Sequence, residues 1–378
     1  MTSDPRPVVV AAVRSPLGTS GGRMRDLTVE AVGAPVVGSA AMAAADEPVD
    51  HLILGNCMGP GGNVARVVGL AAGLPESVSA VTVDQQCSSG LAAVAMAADL
   101  VSARGGWVIA GGVESASTAP VRHWRASDGT AGQAYERAPF TPSGWPDPDM
   151  GVAADRLARE RGIDRARQDA YAARSHARAA QSQSEGLFVD EIVALPGLEQ
   201  DERPRAGLSV ERLARFPSAF SADGTVTAGN SCGVNDGAAA VAMVDGDEHA
   251  RRGGPGLRLL GWATCGVDPQ VPGLGVVPAT QAALRTAGLD WADMDVIEFN
   301  EAFACQMLAV ADELPIDERR ICAQGGALAL GHPWGASGAV LMVRLFSQLV
   351  RQERGRYGIA AVAGGGGQGA AVVVERCQ

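Results

Sequence analysis

The chain contains no lysine. All 31 of its lysine-or-arginine positions are arginine. An imine-forming lysine is therefore absent, and with it pyridoxal-phosphate chemistry and the lysine aldolases. A Walker P-loop and a protein kinase each place a lysine against phosphate, so both are excluded. GC-rich coding, which favours Arg, Ala and Gly, accounts for the bias, and the exclusion holds whatever its cause. Excess positive charge is lacking too. Against 42 acidic residues the net charge is −11, so there is no basic field for nucleic acid. No run of about 18 apolar residues is present to span a membrane. Met1 to Arg14 lacks the basic and long apolar regions of a secretory signal. The seven cysteines, Cys57, Cys87, Cys232, Cys265, Cys305, Cys322 and Cys377, form no Cys-x-x-Cys pair. Neither a zinc ribbon nor a thioredoxin-type motif is encoded. The expectation is a reduced, cytosolic, soluble protein without a metal site.

What is present is apolar and long. Hydrophobic residues make up 47% of 378 positions, enough for a sizeable core in two or three domains or one large α/β body. Short β-branched runs alternate with Ala-rich helical runs. Pro7–Val13, His51–Leu54, Ala80–Val83 and Trp107–Ala110 read as strands. Leu27–Ala45 and Leu91–Ala103 read as helices. This is the rhythm of a layered α/β fold. From about 116 to 228 the texture changes to Pro, Trp and charge, followed by a charged helix over Arg165–Glu185. That stretch reads as a loop subdomain inserted into an N-terminal half, residues 1–252. Gly253–Gly256 is a linker, and 257–378 is a C-terminal half. Val108-Ile-Ala-Gly-Gly112 and Ala361-Val-Ala-Gly-Gly365 hint at a repeat. Each follows a glycine turn that opens a helix, ending at Gly90 and Gly338 respectively. A repeat would imply two similar halves facing each other.

Four segments carry chemistry. Cys87 lies in Val83-Asp-Gln-Gln-Cys-Ser-Ser-Gly-Leu-Ala92, where a strand ends and a helix begins. A thiol at a helix N-terminus is expected to have a lowered pKa. His332 lies in Gly325-Gly-Ala-Leu-Ala-Leu-Gly-His-Pro-Trp-Gly-Ala-Ser-Gly338. Its glycines admit a ligand, and an imidazole there can take a proton from a thiol. Asn300-Glu-Ala-Phe-Ala304 follows a strand, at the end where α/β folds place ligands. Gly364–Gly367 follows another strand and can offer a backbone N–H to an oxyanion.

Together these segments resemble the thiolase family, the acyl-CoA C-acyltransferases. Arg14-Ser-Pro-Leu-Gly18, Gly111-Gly-Val-Glu-Ser115, Asp149-Met-Gly151, Gly224-Thr-Val-Thr-Ala-Gly-Asn230, Asn235-Asp-Gly-Ala238 and Gly266-Val-Asp268 follow in the family's order. The resemblance covers nearly the whole chain. It implies two βαβαβαββ halves in a five-layered αβαβα arrangement, assembled as a homodimer or homotetramer. It implies Cys87 as the nucleophile that takes an acyl group from coenzyme A, His332 as its activator, and Asn300 as holder of a water. The N–H groups of Cys87 and Gly365 would form the oxyanion hole. Met150, Ser231, Cys232, Ala302, Phe303 and Arg212 would contact the substrate. No cofactor would be bound permanently, and a coenzyme A thioester would be a substrate.

The departures point further. The resemblance implies a second cysteine just before the last glycine loop, as the base that deprotonates the second acyl-CoA. Ala363 stands there. Cys305 is one candidate substitute. Asp84 and Gln324 replace common asparagines, Cys232 replaces a serine, and Trp334 is bulky beside His332. Arg122, Arg125, Arg205, Arg212 and Arg215 are left to meet phosphates. The expected function is acylation of Cys87 and transfer to an unidentified acceptor by a modified second step. The alternatives are ordinary acetyl-CoA acetyltransferase chemistry with a substitute base, or a non-catalytic acyl-CoA-binding subunit.

Overall fold

The structure is a computed structural model. It describes residues 6–45, 47–130 and 132–378. Met1–Pro5, the start of the polar N-terminal stretch, lies outside them. In the first half β1 (Val8–Arg14), α1 (Val29–Ala41), β2 (Val49–Gly55), α2 (Val64–Ala71), β3 (Ser79–Val83), α3 (Ser89–Arg104) and β4 (Trp107–Glu114) alternate. Two helices of the inserted region, α4 (Met150–Glu160) and α5 (Arg165–Ser184), come next, and then β5 (Asn235–Val244). The second half repeats the pattern with β6 (Gly256–Gly266), α6 (Val276–Ala287), β7 (Val296–Phe299) and α7 (Ala304–Glu313). Helix α8 (Trp334–Phe346) and the hairpin β8 (Tyr357–Gly364) and β9 (Gln368–Cys377) complete it. Where β3 would recur, the second half keeps only a single bridge, Ile297 to Ile321.

The strands run β7-β8-β9-β6-β1-β5-β4-β2-β3. Crossovers through helices make β2–β4 and β2–β3 parallel, while β4–β5, β1–β5 and β8–β9 are antiparallel. The halves join where β1 meets β6, Val8 opposite Arg258 and Val9 opposite Leu257. Side-chain alternation along each strand separates two faces. On β4, Val108 and Ala110 face a core shared with α3 and α8, while Trp107, Ile109 and Val113 face α1 and α2. On β8, Ala360 and Val362 face that same shared core. Ile359, Ala361 and Ala363 face the outer core built with α4, α6 and α7. Helices α3 and α8 are thus the middle of five layers, with Val108–Gly112 and Ala361–Gly365 in equivalent strands.

Two sequence expectations shift. The helix after His332 starts at Trp334, so Gly338 lies inside it rather than ending its turn. Strand β2 starts at Val49 and β4 runs on to Glu114, because the buried apolar alternation continues beyond the shortest runs. A buried ion network ties the inserted region to both halves. Arg14 holds Glu191 at 2.8 Å and Asp201 at 2.6 Å, and Glu191 also meets Arg344.

Candidate active site

Cys87 sits on a turn clasped by its own side chains. Gln86, just before it, adopts φ +53, a left-handed conformation rare for a residue with a side chain. Asp84 Oδ1 accepts from the Gln86 backbone N–H at 2.9 Å, and Ser88 Oγ donates to the Gln85 carbonyl at 2.8 Å. The glycine loop of the other half presses on this turn. A β-carbon on Gly364 would lie 2.6 Å from Ser88 Oγ, so only glycine allows the approach. Gln85 Nε2 donates to Gln368 Oε1 at 2.7 Å, a direct bond between the halves. The backbone N–H groups of Cys87 and Gly365 favour negative charge on the Cys87 sulfur.

The thiol is not activated as expected. Burial, and then the neighbouring Cys232 and Glu114, push the Cys87 pKa up to about 12. The two N–H groups pull it down but do not win. The helix N-terminus lies beyond a desolvated sulfur, and desolvation disfavours the thiolate.

His332 is buried, and burial lowers its pKa to about 3, so the ring is neutral. Its Nδ1 lies 2.6 Å from Ser337 Oγ, and its Nε2 lies 3.4 Å from Asn300 Nδ2. Asn235 Oδ1 accepts from the His332 backbone N–H at 3.0 Å. Asn300 is anchored at the end of β7, its N–H donating to the Ala361 carbonyl at 2.9 Å. Among the described residues no hydrogen bond joins His332 to Cys87.

Cys87, Met150, Ala302, Phe303 and Ala363 line one pocket, closed by Ala153, Ala154, Leu157, Gly273 and Gln306. Its free volume of about 20 Å³ is room for roughly one water. Gln306 donates from Nε2 to the Gly273 carbonyl at 3.1 Å, while its Oε1 is buried without a partner. Cys232 borders the pocket, its N–H donating to the Ala302 carbonyl at 2.9 Å. Ser231 pairs with Phe303 and donates its hydroxyl to the Thr227 carbonyl at 2.7 Å.

Other residues named from the sequence lie outside this pocket. Arg212 is exposed and donates to the Gly207 carbonyl at 2.9 Å. Arg122 reaches the Cys57 carbonyl at 3.0 Å. Cys305 is fully buried and aims its sulfur at the Ala154 carbonyl, 3.4 Å away, on the far side of the pocket wall. Burial raises its pKa to about 12. It is in no position to replace a base at 363. Ser337 and Asn235 were inside the segments singled out in the sequence, but their bonds to His332 were not evident. Gln306 and Phe140 carried no sequence signal, because their partners come from distant segments.

Comparison with known proteins fits this geometry. Residues 7–247 match the model of the thiolase N-terminal domain, and 255–376 that of the thiolase C-terminal domain. The chain belongs to the thiolase family. It is 39% identical over 392 residues to the acetyl-CoA acetyltransferase of Escherichia coli, covering 98% of each chain. It is 39% identical over 389 residues to that of Pseudomonas aeruginosa, covering 98% of this chain and 99% of the other. The crystal structure of the Bacillus anthracis acetyl-CoA acetyltransferase superposes with a TM-score of 0.91 at 35% identity over the full length of both chains. The protein is an acyltransferase with the thiolase fold. Among the described residues no helix is long and apolar enough to cross a membrane.

Proposed function

We propose that this thiolase-family protein takes a short acyl group from an acyl-CoA onto Cys87 and passes it to an acceptor in a step that uses no base at position 363. The observation that carries the reading is Ala363, which lines the same pocket as Cys87. A methyl group accepts no proton, and Cys305 is turned away. Acid–base groups contribute about 10²–10⁴-fold to a proton transfer, so enolate formation loses that factor. Acylation of Cys87 does not need it. The neutral His332, with Asn300 on its Nε2, takes the thiol proton as substrate displaces water, and the N–H groups of Cys87 and Gly365 hold the thioester oxygen. The small pocket favours a short acyl group over a long chain. A carbon nucleophile freed by decarboxylation, an amine, an alcohol or water would each serve as second partner. A homodimer or homotetramer is the assembly proposed.

A second reading has support of its own. Relatives named acetyl-CoA acetyltransferase match over the whole length, which favours ordinary condensation at a reduced rate. One experiment separates the readings. The protein is incubated with acetyl-CoA and weighed intact, and acetoacetyl-CoA formation is followed in the same sample. A stoichiometric acetyl adduct that is lost in Cys87→Ala, with little condensation, supports the first reading. Acetoacetyl-CoA formed over many turnovers per subunit, even slowly, supports the second. No adduct at all defeats both.

A further inference from the structure

Arg203 carries a charge with nothing opposite it. Its guanidinium lies against Gly233, where a β-carbon would stand 2.3 Å from Nη1 and 2.6 Å from Cζ. Its Nε is buried without a partner, and no acid or carbonyl bonds the group among the described residues. Arg14, Arg137, Arg165 and Arg344, by contrast, each hold a carboxylate. The nearest titratable neighbours of Arg203 are Cys232 and another cation, Arg205. His176 of α5 faces the same two arginines. It is 3% exposed, and its Nδ1 is buried with no partner. Burial, followed by those two arginines, lowers its pKa to about 4. A half-buried cation beside an unsatisfied imidazole is costly, and an anion would complete such a site.

The site lies next to the chemistry. Cys232 precedes Gly233, and its N–H is bonded to Ala302, which lines the acyl pocket with Cys87. The pantetheine arm keeps the phosphates of coenzyme A far from the reacting sulfur. Arg203 packs on Gly233, one residue from Cys232, which bonds the pocket residue Ala302, so we place its charge at the acyl end of the site, toward the acceptor. An anion that must leave as neutral carbon dioxide would be held back by an ion pair, so the anion read here is one retained in the product.

We propose that Arg203, with His176, forms a carboxylate-binding subsite for the acyl acceptor, which is an amino acid or hydroxy acid. The proposal rests on the acylation of Cys87 put forward above. It also fits Ala363, since a nitrogen or oxygen nucleophile needs no carbon base. The nucleophile's N or O bonds to the acyl carbon, and the C–Sγ bond breaks. Cys87 leaves as thiolate. His332 takes the proton from the nucleophile and returns it to the sulfur, so protons and electrons balance.

The test starts from protein acetylated on Cys87, its adduct counted by intact mass. Glycine and glycinamide, then 3-hydroxybutyrate and 3-hydroxybutyramide, are added as matched pairs. Loss of the adduct and formation of the N- or O-acetyl product are followed. The acid of each pair is expected to be faster than its amide by about tenfold or more, the size of one charge-assisted bond. Arg203→Gln should abolish that preference while leaving the acetylation rate of Cys87 unchanged, and Arg203→Lys should keep part of it. Equal rates for acid and amide in the parent protein, or no acceleration over water by either acid, overturn the proposal. So does an Arg203→Gln variant that keeps the preference but raises KM for acetyl-CoA, which would assign Arg203 to the coenzyme. Because the adduct is counted first, failure of Cys87 acylation is seen separately.

Discussion

His332 Nδ1 stands 2.6 Å from Ser337 Oγ, and that hydroxyl stands 3.1 Å from the Pro333 carbonyl. A carbonyl only accepts, so the Ser337 proton points at Pro333. The hydroxyl oxygen then accepts from His332, which places the ring proton on Nδ1. Nε2 is left as a lone pair facing Asn300 Nδ2, a donor 3.4 Å away. The imidazole is thus held in the tautomer that takes a proton at the substrate side.

Ser337→Ala removes the acceptor that fixes this tautomer. We expect acetylation of Cys87 to slow by about 10- to 100-fold, part of the factor a general base supplies. Ser337→Thr keeps the hydroxyl and should recover most of the rate. KM for acetyl-CoA should change little, since neither atom lies in the pocket. Stopped-flow acylation rates for the two variants check this. Equal rates in Ser337→Ala and the parent would show that the tautomer is set elsewhere.

The pH dependence of the free thiol follows from its burial. With a pKa near 12, Cys87 is almost wholly protonated at neutral pH. Iodoacetamide, in the absence of substrate, should alkylate it slowly at pH 7, with a rate that climbs steadily beyond pH 9. His332, with its pKa lowered to about 3, stays neutral across that range and adds no step near pH 6.5. A rate plateau below pH 8 would mean a thiolate stabilised before substrate binds.

Ala363→Cys restores a thiol to the pocket wall. Ala363 sits on the face of β8 that looks toward α4 and α7, the same side as the acyl pocket. The variant is expected to raise acetoacetyl-CoA synthesis by about 10²–10⁴-fold, without changing the first acylation of Cys87. Coupled assays of condensation beside intact-mass acylation measure the two separately. A gain of only severalfold would show that a base already acts there.

How much of this was legible in the sequence depends on the range of each interaction. Cys87, His332, Asn300 and the glycine loop stand in short segments whose residue order carries the chemistry, so they were found. The strand–helix alternation was visible because burial repeats along each element. The ionisation of Cys87 was misread, since the helix end is local but desolvation comes from both halves closing over the sulfur. The resemblance places Arg212 on the substrate, and its bond to the Gly207 carbonyl, five residues away, is one that packing alone reveals. Cys305 was a plausible substitute until its helix phase aimed it at Ala154. The unpaired Arg203 was not visible at all, because lack of a partner is a property of packing.

Buried carboxyls should shape stability. Burial raises Glu298 to about 7, Arg344 pulling the other way, and one of its oxygens has no partner. The native state therefore keeps this proton between the usual carboxylate pKa and pH 7, while the unfolded chain releases it. The contribution to stability is complete below pH 4.5 and is lost as pH rises through 7. Its full size is on the order of 3 kcal/mol. Glu298→Gln is uncharged at every pH and should flatten the decline. Urea midpoints at pH 5 and pH 8 check the sign. A parent protein more stable at pH 8 than the variant, by as much as at pH 5, would contradict it.

Phe140 covers the glycine loop that carries Gly365, the oxyanion donor proposed above. A β-carbon on Gly365 would lie 2.6 Å from its ring, and one on Gly366 would lie 3.0 Å from its carbonyl. The ring is in turn held by Arg137, whose guanidinium stands 4.6 Å from its centre. Arg137 is clasped by Asp147 at 2.9 Å and Asp149 at 3.2 Å, and Asp149 adjoins the pocket residue Met150. Phe140 thus seals the outer side of Gly365, where water would otherwise reach the thioester. Phe140→Ala should leave acylation of Cys87 within about threefold and speed hydrolysis of the acetyl-enzyme by about tenfold, since the apolar cover excludes water from the site. Phe140→Leu keeps an apolar cover and should leak less. Arg137→Met loosens the ring and should fall between them, with a leak that no longer responds to salt. The decay of the acetyl adduct in buffer alone, read by mass over time, ranks the four proteins. If all four decay at one rate, water is excluded by the two halves themselves and the ring is only packing.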